Sequence, residues 1–200
     1  MDTLQCTVSD CGVPVILRAD MNSVERWDGI GVERRMRLQC LSPYSRKGSG
    51  VILCQKDGQW KTDILCGFEF QGHFYRFHSE ATTWEGAKAR CNSFGGYLVE
   101  LDTGNERDWI FTTFIAPNFR QEDCQKFYDC GSWTGGRVRD GELTFVWSRG
   151  GNPIGNNLWY DGQPNNNGDD QDCVELTRQS GLLNDRGCLT PNAFICEWDP

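Results

Sequence analysis

The sequence predicts two folded modules in series: a small all-β module over residues 11–66 and a larger α+β domain over residues 68–198, both stapled by disulfides. Three observations predict this. Eleven cysteines are spread along 200 residues, at 6, 11, 40, 54, 66, 91, 124, 130, 173, 188 and 196, and a small chain this rich in cysteine is usually disulfide-bonded and made for an oxidising compartment. Up to residue 66 the pattern is short-stranded and turn-rich, with few helix-length apolar periods. Beyond it come two helix-start signatures and then strands and loops, an α+β order. Zinc is the competing use of so many cysteines. No pair has Cys-x2-Cys spacing, and the chain has only two histidines, His73 and His78, so disulfides are the expected reading.

Residues 1–10 read as a tail carrying Cys6. In the first module, Arg37-Leu38-Gln39-Cys40 alternates polar and apolar as a half-buried strand does. Gly48-Ser49-Gly50 reads as a turn, Val51-Ile52-Leu53-Cys54 as a short apolar strand, and Asp57-Gly58 as a hairpin turn. A core of about 56 residues is marginal alone, so two staples matter. Spacing leaves three connectivities open for four cysteines. Cys11-Gly12-Val13-Pro14, Cys40, and Cys54-x3-Gly58-x-Trp60-x5-Cys66 together resemble a sushi (complement control protein) module. The resemblance implies bridges Cys11–Cys54 and Cys40–Cys66, with Trp60 as the residue the module packs around.

In the second module, Thr82-Thr83-Trp84-Glu85 reads as a capping box with Thr82 as N-cap. Trp84, Ala87 and Cys91 then form one helix face, and Gly95-Gly96 ends it. Thr103-Gly104-Asn105-Glu106 repeats the signature ahead of a stripe of Trp109, Ile110, Thr113 and Phe114. After Pro117 the pattern returns to strands and loops. Trp84-x2-Ala87-x3-Cys91, Leu98 and Leu101, Trp133-Thr134-Gly135-Gly136, Trp147, Trp159, Asp172-Cys173-Val174, Asn184-Asp185-x2-Cys188 and Phe194-Ile195-Cys196-Glu197 resemble a C-type lectin domain. That resemblance implies two helices, antiparallel strands, long loops, and bridges Cys91–Cys196 and Cys173–Cys188. Cys124 and Cys130 most simply pair with each other. Cys6 is left over, and its expected partner lies upstream in a longer parent chain or on another chain. The start of the sequence has neither a basic nor an apolar leader region, which a longer parent or a removed signal would explain. Only about one residue separates the modules, too short for a flexible tether.

The chemistry concentrates in Gln163-Pro164-Asn165-Asn166-Asn167-Gly168-Asp169-Asp170-Gln171-Asp172 and in Asn184-Asp185. Nearly every side chain there ends in oxygen, the ligand of hard Ca²⁺. A cis peptide before Pro164 would hold the flanking amides in a fixed turn. Lectins of the resembled family use such a turn to bind calcium and sugar together. Carried over residue by residue, the ligand set is Gln163, Asn165, Gln171, Asn184 and Asp185, with Asp185 giving its carbonyl as well. Sugar hydroxyls would coordinate the metal directly. The turn departs from the family's Glu-Pro-Asn (mannose) and Gln-Pro-Asp (galactose) forms, and Gln171 stands where a Glu is usual. Fewer ligand charges mean weaker Ca²⁺ binding. An auxiliary calcium site is less expected still, because Asn166 and Gln171 replace acidic residues.

The expectation is an extracellular recognition module, secreted or part of a surface protein, that binds a glycan or glycoprotein with one Ca²⁺. The alternative is a lectin-like protein-interaction or matrix module without sugar or calcium, and a protein partner through either module is compatible with both. With 20 Lys+Arg against 28 Asp+Glu and a formal charge of −8, a nucleic-acid partner is not expected, nor is polybasic membrane attraction. No stretch approaches the roughly 18 apolar residues of a membrane span. Arg34, Arg35, Arg37, Arg46 and Lys47 could bind a polyanion but read first as a solvated face. His73 and His78, five apart in an apparent strand, point to opposite faces and read as surface or packing residues. No nucleophile–base order or phosphate-binding glycine loop supports an enzyme.

Overall fold

The computed structural model describes residues 10–24, 31–120, 122, 124, 130–139 and 144–200. Cys6 lies outside them. The chain divides into two compact units, Met1–Glu69 and Phe70–Pro200.

In the first unit, β1 (Arg35–Arg37), β3 (Val51–Cys54) and β4 (Trp60–Thr62) form an antiparallel sheet in the order β1-β3-β4, and β2 (Ser45–Lys47) pairs antiparallel with β5 (Leu65–Phe70). β3 alternates half-buried and buried residues, so Ile52 and Cys54 point into the core with Leu38, Ile64 and Cys66. The expected strand over 37–40 is displaced. β1 ends at Arg37, Leu38 N–H donates to the Gly50 carbonyl at 2.9 Å, and Cys40 makes only an isolated bridge to Ala19. The chain leaves the ladder because residues 39–41 bond to 18–20 instead, Asp20 N–H donating to Gln39 O at 2.8 Å and Leu41 N–H to Arg18 O at 2.9 Å; Cys11–Cys54 and Cys40–Cys66 staple the unit. Trp60 is not the centre of the module. It packs half-buried against the Leu38–Ile52–Ile64 core and donates its indole N–H to the Gly12 carbonyl at 3.1 Å. A unit this small fills its centre with aliphatic side chains and disulfides and keeps the large ring at the rim. Gly48 sits at φ +89°, and a Cβ there would meet the Asp63 carbonyl oxygen at 2.2 Å, so the turn requires glycine.

The second unit is α+β. Its elements are β6 (His73–Thr82), α1 (Trp84–Ser93), β7 (Tyr97–Leu98), α2 (Gly104–Ile110), β8 (Gly131–Val138), β9 (Phe145–Trp147), β10 (Cys173–Thr177), β11 (Leu183–Arg186) and β12 (Asn192–Trp198). A π-type turn over Phe111–Ile115 extends α2. The strand order is β11-β10-β8-β12-β6, with β7 added to β12 and β9 to β8. Among the described residues these pairs are antiparallel except β8–β12, which is parallel. A parallel pair needs a long crossover, and the intervening chain that carries the long loops supplies it. Trp84, Trp133, Tyr75, Phe114, Phe194, Leu98 and Ile110 are fully buried. Cys91–Cys196, Cys173–Cys188 and Cys124–Cys130 staple the unit. No helix among the described residues is long and apolar enough to cross a membrane.

Helix α1 corrects the expected cap. Its N-cap is Thr83, whose hydroxyl accepts from Gly86 N–H at 3.2 Å. Thr82 stays in β6, paired with Asn192, and its carbonyl accepts the Trp133 indole N–H at 2.8 Å. Thr83→Ala should therefore cost about 1 kcal/mol, and Thr82→Ala clearly less, in urea unfolding of the full chain. An equal loss in both would return the cap to Thr82. Helix α2 starts as expected, with Thr103 Oγ1 accepting from Glu106 N–H at 3.1 Å. His73 contacts Glu197 at 2.6 Å, and buried His78 stacks on Phe194 at 4.6 Å.

Candidate functional site

The site is built by the loop between Tyr160 and β10 together with β11. Tyr160 N–H donates to Leu183 O at 2.8 Å, and Gln163 N–H donates back to Tyr160 O at 2.9 Å, which anchors the loop's entry to β11. The Gln163–Pro164 peptide is cis. Asp185, on β11, is fully buried. Its carboxylate accepts from Asn165 N–H at 3.1–3.2 Å and from Asn166 N–H at 2.6 Å. The loop then closes on its own amides. Asn167 N–H donates to Asn165 Oδ1 at 3.0 Å and to Gln171 Oε1 at 2.7 Å, and Gln171 N–H donates to Asn166 Oδ1 at 3.0 Å. Asn166 and Asp169 have positive φ, at +44° and +59°, a conformation short Asn and Asp tolerate better than most residues. This is why the segment is written in Asn, Asp and Gly.

The result is a recess of about 330 Å³ whose lining includes Gln163, Asn165, Gln171 and Asn184. Four of the five expected residues therefore meet in one concavity. The fifth, Asp185, lies buried and is spent at least partly on holding the loop. Gln163 Oε1 is buried and has no hydrogen-bond partner among the described residues. Asp170 also lines the recess, adding a carboxylate beside the amides.

Two further residues shape the site from beneath and were not among those expected. Glu175, on β10, pairs with Asn184 in the β10–β11 register and is fully buried. It accepts from Asn184 Nδ2 at 2.9 Å, Arg186 Nη1 at 3.2 Å and Asn192 Nδ2 at 2.7 Å. Burial pushes its carboxyl up to about 7, against the opposing pull of Arg186 and the two amide donors. Because Asn184 gives its NH₂ to Glu175, its amide orientation is set by that bond. Arg186, two residues on from Asn184 along β11, shares its face and lines the recess. The sequence did carry a signal for Glu175: a carboxylate inside the otherwise apolar run Val174–Leu176, which burial allows only with partners. Among the described residues no three His, Cys, Asp or Glu side chains converge as a metal cluster, so any cation held here rests mainly on amide oxygens. Hard oxygen donors of this kind suit Ca²⁺ rather than zinc.

Comparison with known proteins matches both modules. The Lectin C-type domain model covers residues 80–198, and the Sushi repeat (SCR repeat) model covers residues 11–66. The mouse low affinity immunoglobulin epsilon Fc receptor is 32% identical over 152 residues, 76% of this chain and 39% of that protein, so the chain spans well under half of that relative. The carbohydrate-recognition domain of cow CD23, solved in the presence of a GlcNAc2Man3 oligosaccharide, superimposes with a TM-score of 0.55 at 27% identity, covering 66% of this chain and 92% of that one. The carbohydrate-recognition domain of the human scavenger receptor C-type lectin does so with a TM-score of 0.55 at 28% identity, covering 66% and 95%. The chain belongs to the C-type lectin domain family, with a Sushi repeat ahead of the lectin domain.

Proposed function

We propose that this lectin-like recognition module works outside the cell and binds a carbohydrate, assisted by Ca²⁺, at the Gln163–Asp185 recess. The observation that carries the reading is Gln163 Oε1, a buried acceptor on the lining of a recess that also presents Asn165, Gln171 and Asn184. An unsatisfied buried acceptor costs about 1–3 kcal/mol, and a bound cation or ligand hydroxyl would remove that cost. The residues fit a hard cation: amide oxygens from Gln163, Asn165, Gln171 and Asn184, with the Asp185 and Asp170 carboxylates nearby. Ca²⁺ bound there would supply open coordination positions for vicinal sugar hydroxyls. The protein's own part is positional. Asp185 fixes the loop through two backbone amides, and Glu175 orients Asn184 and offsets the charge of Arg186 at 3.2 Å. Five disulfides among the described cysteines support an oxidising, extracellular setting.

A second reading, a metal-free protein-interaction module, has its own support. The oxygens of Asp185 and Gln171 already accept backbone N–H bonds, so the loop closes without a cation. Thermal unfolding of the full chain in millimolar CaCl₂ and in EGTA separates the two. Binding to the native state alone adds about 2.7 kcal/mol at a hundred times Kd, so the lectin transition should rise in calcium. Gln171→Glu should enlarge the rise, because the carboxylate adds charge and still accepts from Asn167. No rise at about 10 mM, beyond the weak extracellular range, in either protein would discard the calcium reading in favour of a protein partner.

A further inference from the structure

We infer that a second recess, which shares Asn165 and Gln171 with the first, takes a ring with an apolar CH face joined to the sugar. The inference rests on the carbohydrate reading above and names the ligand class that reading leaves open. The recess is about 240 Å³, and its lining includes Val138, Phe145 and Pro164 together with Asn165, Gln171 and Asp172. Asn165 and Gln171 line both recesses, so the two are neighbours, and a group carried on a sugar in the first is placed beside the second.

The apolar wall follows from strand register. β8 and β9 pair Gly136 with Trp147, Arg137 with Val146 and Val138 with Phe145. Directly paired residues share a face. Trp147 is buried, and a Cβ on Gly136 would stand 2.7 Å from Val174, so this is the core-facing row of the hairpin. Val138 and Phe145 are its outermost pair and are left half-buried. Phe145 is braced edge-on by Trp159, with ring centroids 5.0 Å apart. Val138 N–H donates to Asp172 O at 2.8 Å, which joins the hairpin to the far end of the loop. Pro164 faces this wall from a loop tied down through Asp185. An apolar cavity of about 150 Å³ can hold benzene, so the space here is enough for one ring with room at its polar rim. Asp172 is the one charged residue in this lining, which disfavours an anionic ring, while a neutral ring meets no such repulsion. An aryl aglycone and the CH face of a second sugar share this chemistry.

The test uses the full chain in CaCl₂ with methyl β-galactoside, methyl α-mannoside, the matching phenyl glycosides and the matching disaccharides. For whichever sugar binds, the phenyl or disaccharide form should bind about tenfold tighter than the methyl form. A gain with both forms assigns the recess to any such ring, a gain with phenyl alone to an aglycone, and a gain with disaccharide alone to a second sugar. Val138→Asn should erase the gain while leaving methyl-glycoside affinity unchanged, and the Val138 methyl resonances should shift with the ring-bearing ligands only. Equal affinities, or a gain that survives Val138→Asn, overturns the inference. If no methyl glycoside binds, the carbohydrate reading fails by itself. Phenol alone then tests the recess: saturable shifts of the Val138 methyls keep it as a ring site, and their absence removes it.

Discussion

Asp185→Ala is expected to destabilise the lectin unit by about 2–4 kcal/mol, and to do so in EGTA as well as in calcium. The carboxylate is fully buried and accepts from Asn165 and Asn166 N–H at 3.1–3.2 and 2.6 Å. Alanine removes the charged acceptor of both part-buried amide bonds, and a hydrogen bond to a charged group contributes about 1.5–3 kcal/mol. Asp185→Asn keeps one carbonyl oxygen, so its loss should be smaller, about 1–2 kcal/mol. Both variants should lose glycan binding, because Asn165 and Pro164 are no longer held in place. The dependence on metal is the informative part. If Asp185 served only as a cation ligand, Asp185→Ala and the unaltered chain would unfold together in EGTA. Urea unfolding in EGTA decides this, and coincident curves would end the claim that the carboxylate positions the loop.

The same residue shows what the sequence can and cannot disclose. Asn184-Asp185 was legible as part of an oxygen-rich site, and with Gln163, Asn165 and Gln171 it named four of the residues that line the recess; Asn167, Asp170 and Arg186 line it as well. The bridges implied by the two resemblances join the cysteines that the structure joins. The helix face Trp84–Ala87–Cys91 is buried as its spacing requires. What could not be read locally depends on distant contacts. Thr82 and Thr83 are equivalent as caps by type. The choice is made by Asn192 and Trp133, which hold Thr82 in the sheet. The resemblance to a sushi module places Trp60 at the centre, yet Leu38, Ile52 and Ile64 take the centre and Trp60 packs against them from the rim. Glu175 gains its meaning only from the β10–β11 register that sets it against Asn184. The apolar recess likewise exists only because β9 brings Phe145 opposite Val138, on the side of the hairpin that meets the loop.

Away from the site, the end of β12 should make the lectin unit less stable as pH rises from 4.5 to 7. Glu197 is buried between Cys196 and Trp198. Its Oε1 lies 2.6 Å from His73 Nδ1, and its Oε2 accepts from Glu100 N–H at 3.1 Å. Burial pushes the carboxyl up to about 7. The Glu100 N–H opposes this, the Glu106 carboxylate adds to it, and the Tyr97 and His73 hydrogen bonds oppose it. The unfolded chain releases this proton near 4.5 and the folded chain near 7, so between those values the native state holds the extra proton. The contribution is therefore complete below about 4.5, shrinks as pH rises, and is gone above about 7. At about 1.4 kcal/mol per pH unit of difference, it amounts to about 3 kcal/mol. Glu175 is raised to about 7 as well, and burial also raises the Glu100 carboxyl; both act in the same direction, so the unaltered chain reports all three. Glu197→Gln keeps a carbonyl acceptor for Glu100 N–H or His73 and removes the titration. Urea unfolding of the full chain, followed by near-UV circular dichroism at pH 5.5 and pH 8, should show the stability difference between the two pH values cut by about half in the variant. An undiminished difference would mean that Glu197 stays ionised in the fold throughout, with the His73 contact outweighing its burial.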